Sequence, residues 1–256
     1  MYELEPDAVP VPDLPGEVVV ALDADEVIDR VAEDLVVHAE NCVREFGDFH
    51  CVVCGGEVPG RLYRRLMYDP QYRLLPWRRT HLWLAHEDRP RDEEGSVWRQ
   101  VHDFVGEHAD IPAEQMHPIL VGRSSAATDY ERLLRERLGW REKGQDRPDY
   151  VLLELRGDGT VAGLAGDLRP EWAERFVVRT GTDPADPAPP ISMLPRLLNA
   201  ARFVAVLVTG ATAGAALPLA GGSGAARAAP VRAIAPSGGE LRWYLDRDAA
   251  EGAGGA

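Results

Sequence analysis

Four mostly apolar runs constrain the fold of this chain more than any other feature. They read FHCVV from Phe49, HLWLA from His81, YVLLEL from Tyr150 and FVAVLV from Phe203, with helical segments between them. Continuous apolar runs, as opposed to alternating ones, are typical of strands buried on both faces of a parallel sheet. The pattern therefore predicts an α/β fold with a doubly wound, mostly parallel sheet and helices on both faces.

The boundaries of the predicted domain follow from composition. Residues 1–16 are rich in proline and acidic residues, and we expect an extended lead-in there. A chain of 256 residues is long enough for one α/β domain, which we place at residues 17–250. Residues 251–256 read EGAGGA, which is typical of a flexible tail. Within the domain, Asp23 or Asp25 is expected to cap a helix that ends at Gly47, and the segment SMLPRLLNAA is expected to be helical.

Charge and cysteine content limit the partners and the compartment. The formal net charge of −14 argues against nucleic-acid binding and against a basic membrane-surface role, so we expect a small-molecule substrate. The uncharged segment FVAVLVTGATAGAALPLAGG is interrupted at Thr209-Gly210, which favours a buried strand and a small-residue helix over a membrane span. Three cysteines and an N-terminus without a signal pattern predict a cytoplasmic protein; the sequence does not predict an oligomeric state.

The candidate site lies at the turns that follow the predicted strands. In doubly wound sheets, ligands bind outside the carboxyl ends of the strands. The turns to consider are therefore those after Val53, Leu84, Leu155 and Val208, which we call the first, second, third and fourth turns.

The same turns carry a family resemblance. The segments FHCVVCGGEVPGRLY, LWLAHEDR, DYVLLELRGDGTVAGL, MLPRLLNAARFVAVLVTG and LRWYLDRDAA follow one another in the order found in the 6-phosphogluconolactonases, which are relatives of the glucosamine-6-phosphate deaminases. The chain resembles that family from about residue 18 to about residue 250. The resemblance implies the same fold, an active site at these turns, hydrolysis of a lactone, and no cofactor.

The first and second turns depart from the family pattern. The family's serine–glycine–glycine–serine–threonine–proline loop helps to hold a sugar phosphate, and here Cys54 replaces the first serine while Glu57 and Val58 replace the hydroxyl pair. A carboxylate at that place repels a phosphate. The family's second turn reads glycine–aspartate–glutamate–arginine, and the residues that compete for those places are His86, Glu87, Asp88 and Arg89.

The third and fourth turns also depart. The family's third turn carries the histidine expected to act as general base, and Thr160 stands at that place after the matching Asp158 and Gly159. Threonine does not titrate near neutral pH and cannot replace it. Arg156 replaces a family glycine, and Ala213 stands where the fourth turn often has a phosphate-binding lysine.

The candidate residues divide into two groups. His86, Glu87 and Asp158 are the candidates for acid–base catalysis, because they are the titratable groups that follow two of the strands. The candidate substrate-binding residues are Cys54, Gly55, Gly56, Glu57, Arg89, Arg156, Gly159 and Thr160. The segment HCVVC has the look of a metal motif, but Cys51 and Cys54 point to opposite faces of a strand, so we expect no metal.

Three functions remain open at this point. The first, which we favour, is a repurposed enzyme that acts on a small non-phosphorylated metabolite, as in specialised biosynthesis. Such an enzyme would use acid–base chemistry for hydrolysis, cyclisation or isomerisation. The second is a sugar-lactone hydrolase in which His86 or Glu87 acts as the base and backbone amides of the first turn, which contains Gly55 and Gly56, act as oxyanion donors. The third is a non-catalytic protein that binds a metabolite or a partner.

Overall fold

A computed structural model of the chain describes residues 9, 11–72, 74–139, 147–166, 168–181, 186, 188–221 and 229–254. The strands in this part are β1 (Glu17–Ala21), β2 (Phe49–Val53), β3 (Thr80–Leu84), β4 (His86–Glu87), β5 (Met116–His117), β6 (Tyr150–Glu154), β7 (Val177–Arg179), β8 (Ile191–Met193), β9 (Phe203–Val208) and β10 (Glu240–Asp246). The helices are α1 (Ala24–Phe46), α2 (Glu57–Tyr68), α3 (Val97–Val101), α4 (Ala126–Leu138), α5 (Pro195–Leu198), α6 (Gly210–Gly214), α7 (Pro218–Gly221) and α8 (Arg247–Ala253).

The main sheet has the predicted parallel character. Seven strands are paired in the order β1-β10-β9-β6-β2-β3-β5, and every pairing between them is parallel. From β2 the chain first moves outward through β3 and β5, and it then returns to place β6 on the other side of β2. The strand order therefore reverses between β2 and β6, and the predicted doubly wound α/β fold is confirmed.

A second, smaller sheet was not expected. It has the order β4-β8-β7 and is antiparallel, with His86 opposite Ser192 and Glu87 opposite Ile191. The helix predicted for SMLPRLLNAA is accordingly wrong over its first three residues, because Ser192 and Met193 belong to β8 and Leu194 is extended. The helical part is only α5, which starts at Pro195 after an extended Leu194, as the residue before a proline prefers.

The ends of the first and last helices are set by capping residues. Asp23 accepts hydrogen bonds from the amides of Asp25 and Glu26, and α1 ends at Gly47 in a left-handed conformation, as predicted. Asp246 caps α8 by accepting from the Ala249 amide, and that helix continues to Ala253. This helix therefore runs three residues past position 250, where we placed the end of the domain. Residues 255–256 of the expected tail and residues 1–8 and 10 of the lead-in lie outside the described residues.

The uncharged segment that begins at Phe203 forms β9 and the short helices α6 and α7. Across the described ranges, no helix combines the length and hydropathy that a membrane crossing requires.

A stack of aromatic rings lies on one face of the main sheet, away from the four turns. The His50 and His81 rings are parallel at 4.4 Å, and Nδ1 of His81 lies 3.0 Å from Nε2 of His117. The His117 ring stacks on Trp83 at 3.7 Å. Burial first, and then the neighbouring His81, His50 and Arg137, lower the pKa of His117 to about 3, so this ring is neutral in the folded protein.

The neutral His117 predicts a loss of stability in acid. The unfolded chain binds a proton at this residue below pH about 6.5, whereas the folded chain does so only near pH 3, so stability is present above pH 6.5 and declines between these values. We expect His117→Phe to flatten the dependence of the unfolding free energy on pH by up to about 1.4 kcal/mol per pH unit. Urea denaturation between pH 4 and 7 measures this. The exposed His108, changed to Gln, serves as the control, and an equal flattening in that variant would contradict the assignment.

Candidate functional site

The first and third turns meet at the point where the strand order reverses. They follow β2 and β6, which are neighbours in the sheet. Glu154 ends β6, and its carboxylate packs so closely on Gly56 that a Cβ atom on that glycine would overlap it. The amide of Val58, in the first turn of α2, acts on the same carboxylate. A carboxylate of the protein itself thus occupies the positive end of α2, where an external anion would bind.

The environment of Glu154 gives it a pKa suited to proton transfer. Burial raises the pKa of Glu154 to about 7; the Val58 amide and Arg156 oppose this shift, and Glu57 reinforces it. Groups with a pKa near the working pH are the most effective general bases. Glu154 as a residue is partly exposed.

The first turn, which contains Gly55 and Gly56, is held in place by a side chain from α3. Oε1 of Gln100 accepts the Gly56 amide at 3.0 Å, and Nε2 of Gln100 donates to the Gly56 carbonyl at 2.7 Å. A Cβ on Gly55 would lie 2.8 Å from Val97. Because Gln100 engages the Gly56 amide, this amide is not the free oxyanion donor that the sequence suggested. Gly55 is partly exposed and Glu57 is exposed at the start of α2.

Cys54 belongs to the core and not to the cleft. Only 1% of the residue is exposed, and burial raises the pKa of its thiol well above the ordinary value. Its carbonyl accepts a hydrogen bond from the Tyr63 hydroxyl. The side chain cannot touch a ligand, which corrects the expectation that Cys54 binds the substrate.

The burial of Cys54 predicts its chemical behaviour. Cys42 and Cys51 are also buried, so we expect the native protein to leave its thiols unmodified by Ellman's reagent, and the denatured chain to react at all three. Absorbance of the released thiolate measures both. Rapid reaction of Cys54 in the native protein would show that its thiol is accessible and would restore it as a candidate substrate-binding residue.

Glu87 organises the second turn. It is fully buried, and its two carboxylate oxygens accept hydrogen bonds of 2.8–3.2 Å from the Ser96 hydroxyl and from four backbone amides, those of Asp88, Arg89, Val97 and Trp98. Burial raises the pKa of Glu87, and these hydrogen bonds oppose the shift. With every lone pair directed at the protein, Glu87 is placed to order the loop and the start of α3. This geometry removes the reason for proposing it as a base.

His86 lies beside the third turn. A Cβ on Gly163 would be 2.8 Å from atoms of the His86 side chain, and the residue is partly exposed. Burial lowers the pKa of His86 to about 4, the nearby Asp88 opposes this and Arg156 adds to it. The imidazole is therefore neutral at physiological pH. Its Nδ1 is buried and has no hydrogen-bond partner among the described residues.

The third turn is closed by its own hydrogen bonds. The Arg156 amide donates to the Thr160 carbonyl at 3.1 Å, and Asp158 accepts the Thr160 amide at 2.9 Å. The Thr160 amide and hydroxyl lower the pKa of Asp158. Gly159 has a φ of 81°, a conformation that favours glycine. Asp158 is exposed but is engaged in shaping the turn.

Arg156 and Arg89 differ in what they contact. Nη1 of Arg89 donates to the Glu94 carbonyl at 3.2 Å, so this guanidinium binds its own loop. Arg156 is exposed, and within the described ranges its guanidinium forms no ion pair within 4 Å. Its charge nevertheless shifts the pKa values of Glu154, His86 and Asp158. Arg156 is therefore the cation at the centre of the candidate site.

The fourth turn closes the site from the other side. A Cβ on Gly157 would approach the carbonyl oxygen of Thr212 to 2.9 Å, so the third and fourth turns are in contact and leave no room for a larger residue. Ala213, at the place of the family's lysine, is buried and adds no charge.

One cluster away from the turns has the spacing of a metal site. Ligand atoms of Asp48, His50 and His81 lie within 4.8 Å of one another. Trp83 Nε1, which is always a donor, donates to Nδ1 of His50 at 3.1 Å. The proton of neutral His50 is therefore on Nε2, the atom that faces Asp48 at 3.4 Å, and this atom has no lone pair for a metal. The hydrogen bond from Trp83 argues against metal binding here.

Sequence reasoning missed two important residues. Glu154 is hidden within an apolar run, and only its place at the last position of β6 distinguishes it. Gln100 lies in an amphipathic helix, where nothing in the sequence indicates that it contacts the first turn. The structure brings together Glu57, Glu154, Arg156, Asp158 and His86, and it separates Cys54 and Glu87 from this group.

Comparison with known proteins places these observations in context. Residues 22–243 match the family described as glucosamine-6-phosphate isomerases/6-phosphogluconolactonase. The chain is 31% identical to the human GDH/6PGL endoplasmic bifunctional protein over 232 residues, which cover 88% of this chain but only 29% of that protein. It is 26% identical to the 6-phosphogluconolactonase of Aggregatibacter actinomycetemcomitans, covering 89% of this chain and 96% of the other. The solved 6-phosphogluconolactonase of Trypanosoma cruzi superposes with a TM-score of 0.77 at 21% identity, covering 94% and 98% of the two chains.

Proposed function

Since the chain belongs to the family of glucosamine-6-phosphate isomerases and 6-phosphogluconolactonases, we propose that it is an enzyme that hydrolyses a sugar lactone with Glu154 as its general base. The observation that carries this proposal is the carboxylate of Glu154, whose pKa is raised to about 7 at the point where the strand order reverses. Gly56 of the first turn packs against this carboxylate, and Arg156 of the third turn is near enough to affect its pKa.

The proposed reaction is acyl transfer to water. Glu154 takes a proton from a water molecule while the water oxygen attacks the lactone carbonyl carbon, and the carbonyl oxygen becomes an oxyanion. The bond between the carbonyl carbon and the ring oxygen then breaks, and the proton on Glu154 is transferred to the leaving ring oxygen. The product is the open-chain hydroxy acid, and Glu154 returns to its ionised form. Positive charge from Arg156 favours the oxyanion and holds an anionic group of the substrate.

The substrate that we propose carries no phosphate at the first turn. The end of α2 is occupied by the Glu154 carboxylate, Glu57 adds a second negative charge there, and the Gly56 amide is bonded to Gln100. Each of these features disfavours a dianionic phosphate at this place. A neutral lactone, or one with a carboxylate directed at Arg156, fits the distribution of charge better.

A second candidate is 6-phosphogluconolactonase activity itself. Two observations favour it: the bacterial relative is a 6-phosphogluconolactonase, and the guanidinium of Arg156, which has no ion-pair partner among the described residues, is chemically suited to a phosphate. The chain spans 29% of the length of the human and rabbit relatives, so activities of those longer proteins are a weaker guide.

A substrate panel tests the proposal. Purified protein is supplied with glucono-1,5-lactone, with 6-phosphogluconolactone and with a lactone that bears a carboxylate, and acid release is followed by pH-stat titration. We expect hydrolysis of the lactones without phosphate, and a weaker or absent reaction with 6-phosphogluconolactone. Preferred hydrolysis of the phosphorylated lactone would support the second candidate. No release from any lactone would contradict both and favour cyclisation, isomerisation or a binding role.

A further inference from the structure

Two buried polar groups that find no hydrogen-bond partner among the described residues lie on neighbouring strands beside the candidate site. His86 in β4 and Ser192 in β8 are directly opposite in the antiparallel pairing. Side chains at such positions have Cβ atoms about 4.5–5.5 Å apart and lie on the same face. Nδ1 of His86 and Oγ of Ser192 are both buried, and neither has a hydrogen-bond partner in the described part of the chain. Ser192 is fully buried, so its hydroxyl is not exposed to bulk solvent.

The side chains as placed do not bond to each other, and a rotation of the Ser192 side chain that brought Oγ to Nδ1 would satisfy both groups in only one arrangement. The Ser192 hydroxyl has one proton to donate, and a neutral imidazole has one N–H and one nitrogen that accepts. If Nδ1 carried the proton and donated to Oγ, the hydroxyl proton would still be buried without an acceptor. If Nδ1 accepts from the hydroxyl, no buried donor is left unsatisfied. The second arrangement is favoured, because an unpaired buried donor is the costlier defect.

We propose that Ser192 fixes neutral His86 as the tautomer with its proton on Nε2, so that His86 serves as a hydrogen-bond donor, and not as a base, to the carbonyl oxygen of the substrate. The ring packs against Gly163 of the third turn, and it lies close enough to Arg156 and Asp88 to be affected by their charges. With Nδ1 engaged by Ser192, Nε2 is the nitrogen left for a ligand. This inference rests on the proposed function for its substrate, and it assigns Ser192 as a positioning residue.

The donor role is consistent with the rest of the site. A neutral histidine with its proton on Nε2 has one N–H, and this N–H can donate a hydrogen bond to a developing oxyanion. Glu154, whose pKa is affected by the same Arg156 charge, is the group suited to take the proton from water. Two titratable groups whose environments shift their pKa values in opposite directions have this division of labour in other enzymes. Arg156 then stabilises the oxyanion from a second direction.

The tautomer is measurable without any substrate. We would record the ring ¹⁵N NMR spectrum of the full chain at pH 7 and assign the His86 signals from their absence in His86→Gln. We expect Nε2 to carry the proton in the native protein and Nδ1 to gain protonation in Ser192→Ala. The control is Ile191→Val, a conservative change in the same strand, which should leave the signals unchanged. A native His86 protonated on Nδ1, or a Ser192→Ala spectrum identical to the native one, would overturn the assignment.

Activity separates a donor from a base. The amide nitrogen of glutamine reproduces Nε2–H but cannot accept a proton, so His86→Gln should keep the rate constant within about 10-fold, whereas His86→Ala should lose about 10²–10³-fold. Ser192→Ala should lower kcat with little change in KM. Equal inactivity of His86→Gln and His86→Ala would overturn the donor role. If the native protein hydrolyses no lactone, the proposed function and the donor role both fail, and the NMR result still decides whether Ser192 sets the tautomer.

Discussion

Glu154→Gln is expected to reduce the rate constant for lactone hydrolysis by about 10²–10⁴-fold, because the amide cannot take a proton from water. In the native enzyme the rate should rise with pH and level off above about 7, since only the ionised carboxylate acts as a base and its pKa is about 7. This dependence should be absent from the residual activity of the variant. Initial rates on a hydrolysed lactone between pH 5 and 9, corrected for spontaneous hydrolysis, measure both effects.

Stability distinguishes a catalytic loss from unfolding in this variant. The folded pKa of Glu154 lies above the ordinary value of 4.5, so ionising the carboxylate destabilises the fold as pH rises from about 4.5 through about 7. Glu154→Gln should therefore be at least as stable as the native protein at pH 8. The exposed Glu240 at the start of β10, changed to Gln, is the matched control and should retain activity. Full activity in Glu154→Gln would remove this residue from the mechanism.

Glu87→Ala is expected to lower the free energy of unfolding by about 3 kcal/mol or more. The change leaves five donors, four of them backbone amides, without an acceptor, and each unsatisfied buried group costs about 1–3 kcal/mol. Urea denaturation with a fixed m-value measures the loss. Hydrogen exchange should also accelerate at the Val97 and Trp98 amides, because these lose their acceptor.

The control for Glu87 lies in the same loop. Glu94 is exposed, and Glu94→Ala should change stability by no more than about 0.5 kcal/mol. A stable Glu87→Ala variant with slow exchange at Val97 would show that the loop does not depend on this carboxylate. Loss of activity without loss of stability would instead restore Glu87 as a candidate for acid–base catalysis.

The parallel sheet was predictable because four of its strands are continuous apolar runs, and such runs indicate strands that are buried on both faces of a sheet. The small sheet was not, because β8 has three residues and β4 has two, which is too short for a periodic pattern. Their pairing depends on tertiary contact between residues about a hundred positions apart. Pro195 did mark the true start of the following helix, but an apolar sequence on both sides obscured it.

The candidate site was predictable in its place but not in the roles of its residues. The turns after the strands form the site because parallel strands bring their carboxyl ends to one edge. The role of Glu87, in contrast, depends mainly on the backbone amides of residues 88, 89, 97 and 98, and backbone donors leave no trace in a sequence. Glu154 was not identified as a site residue because its carboxylate packs at the N-terminal end of α2, and the amides of a helix end are again a backbone feature.

The contact between Gln100 and Gly56 has a consequence for anyone who would redesign this protein. Glu87 holds the start of α3, and Gln100 from that helix is hydrogen-bonded to Gly56 in the first turn. Residues 54–60 and 86–100 are therefore structurally coupled. Grafting a phosphate-binding loop onto residues 54–59 alone would leave the Gln100 amide and the Glu154 carboxylate in the way. A successful redesign has to replace both segments and residue 154 at the same time.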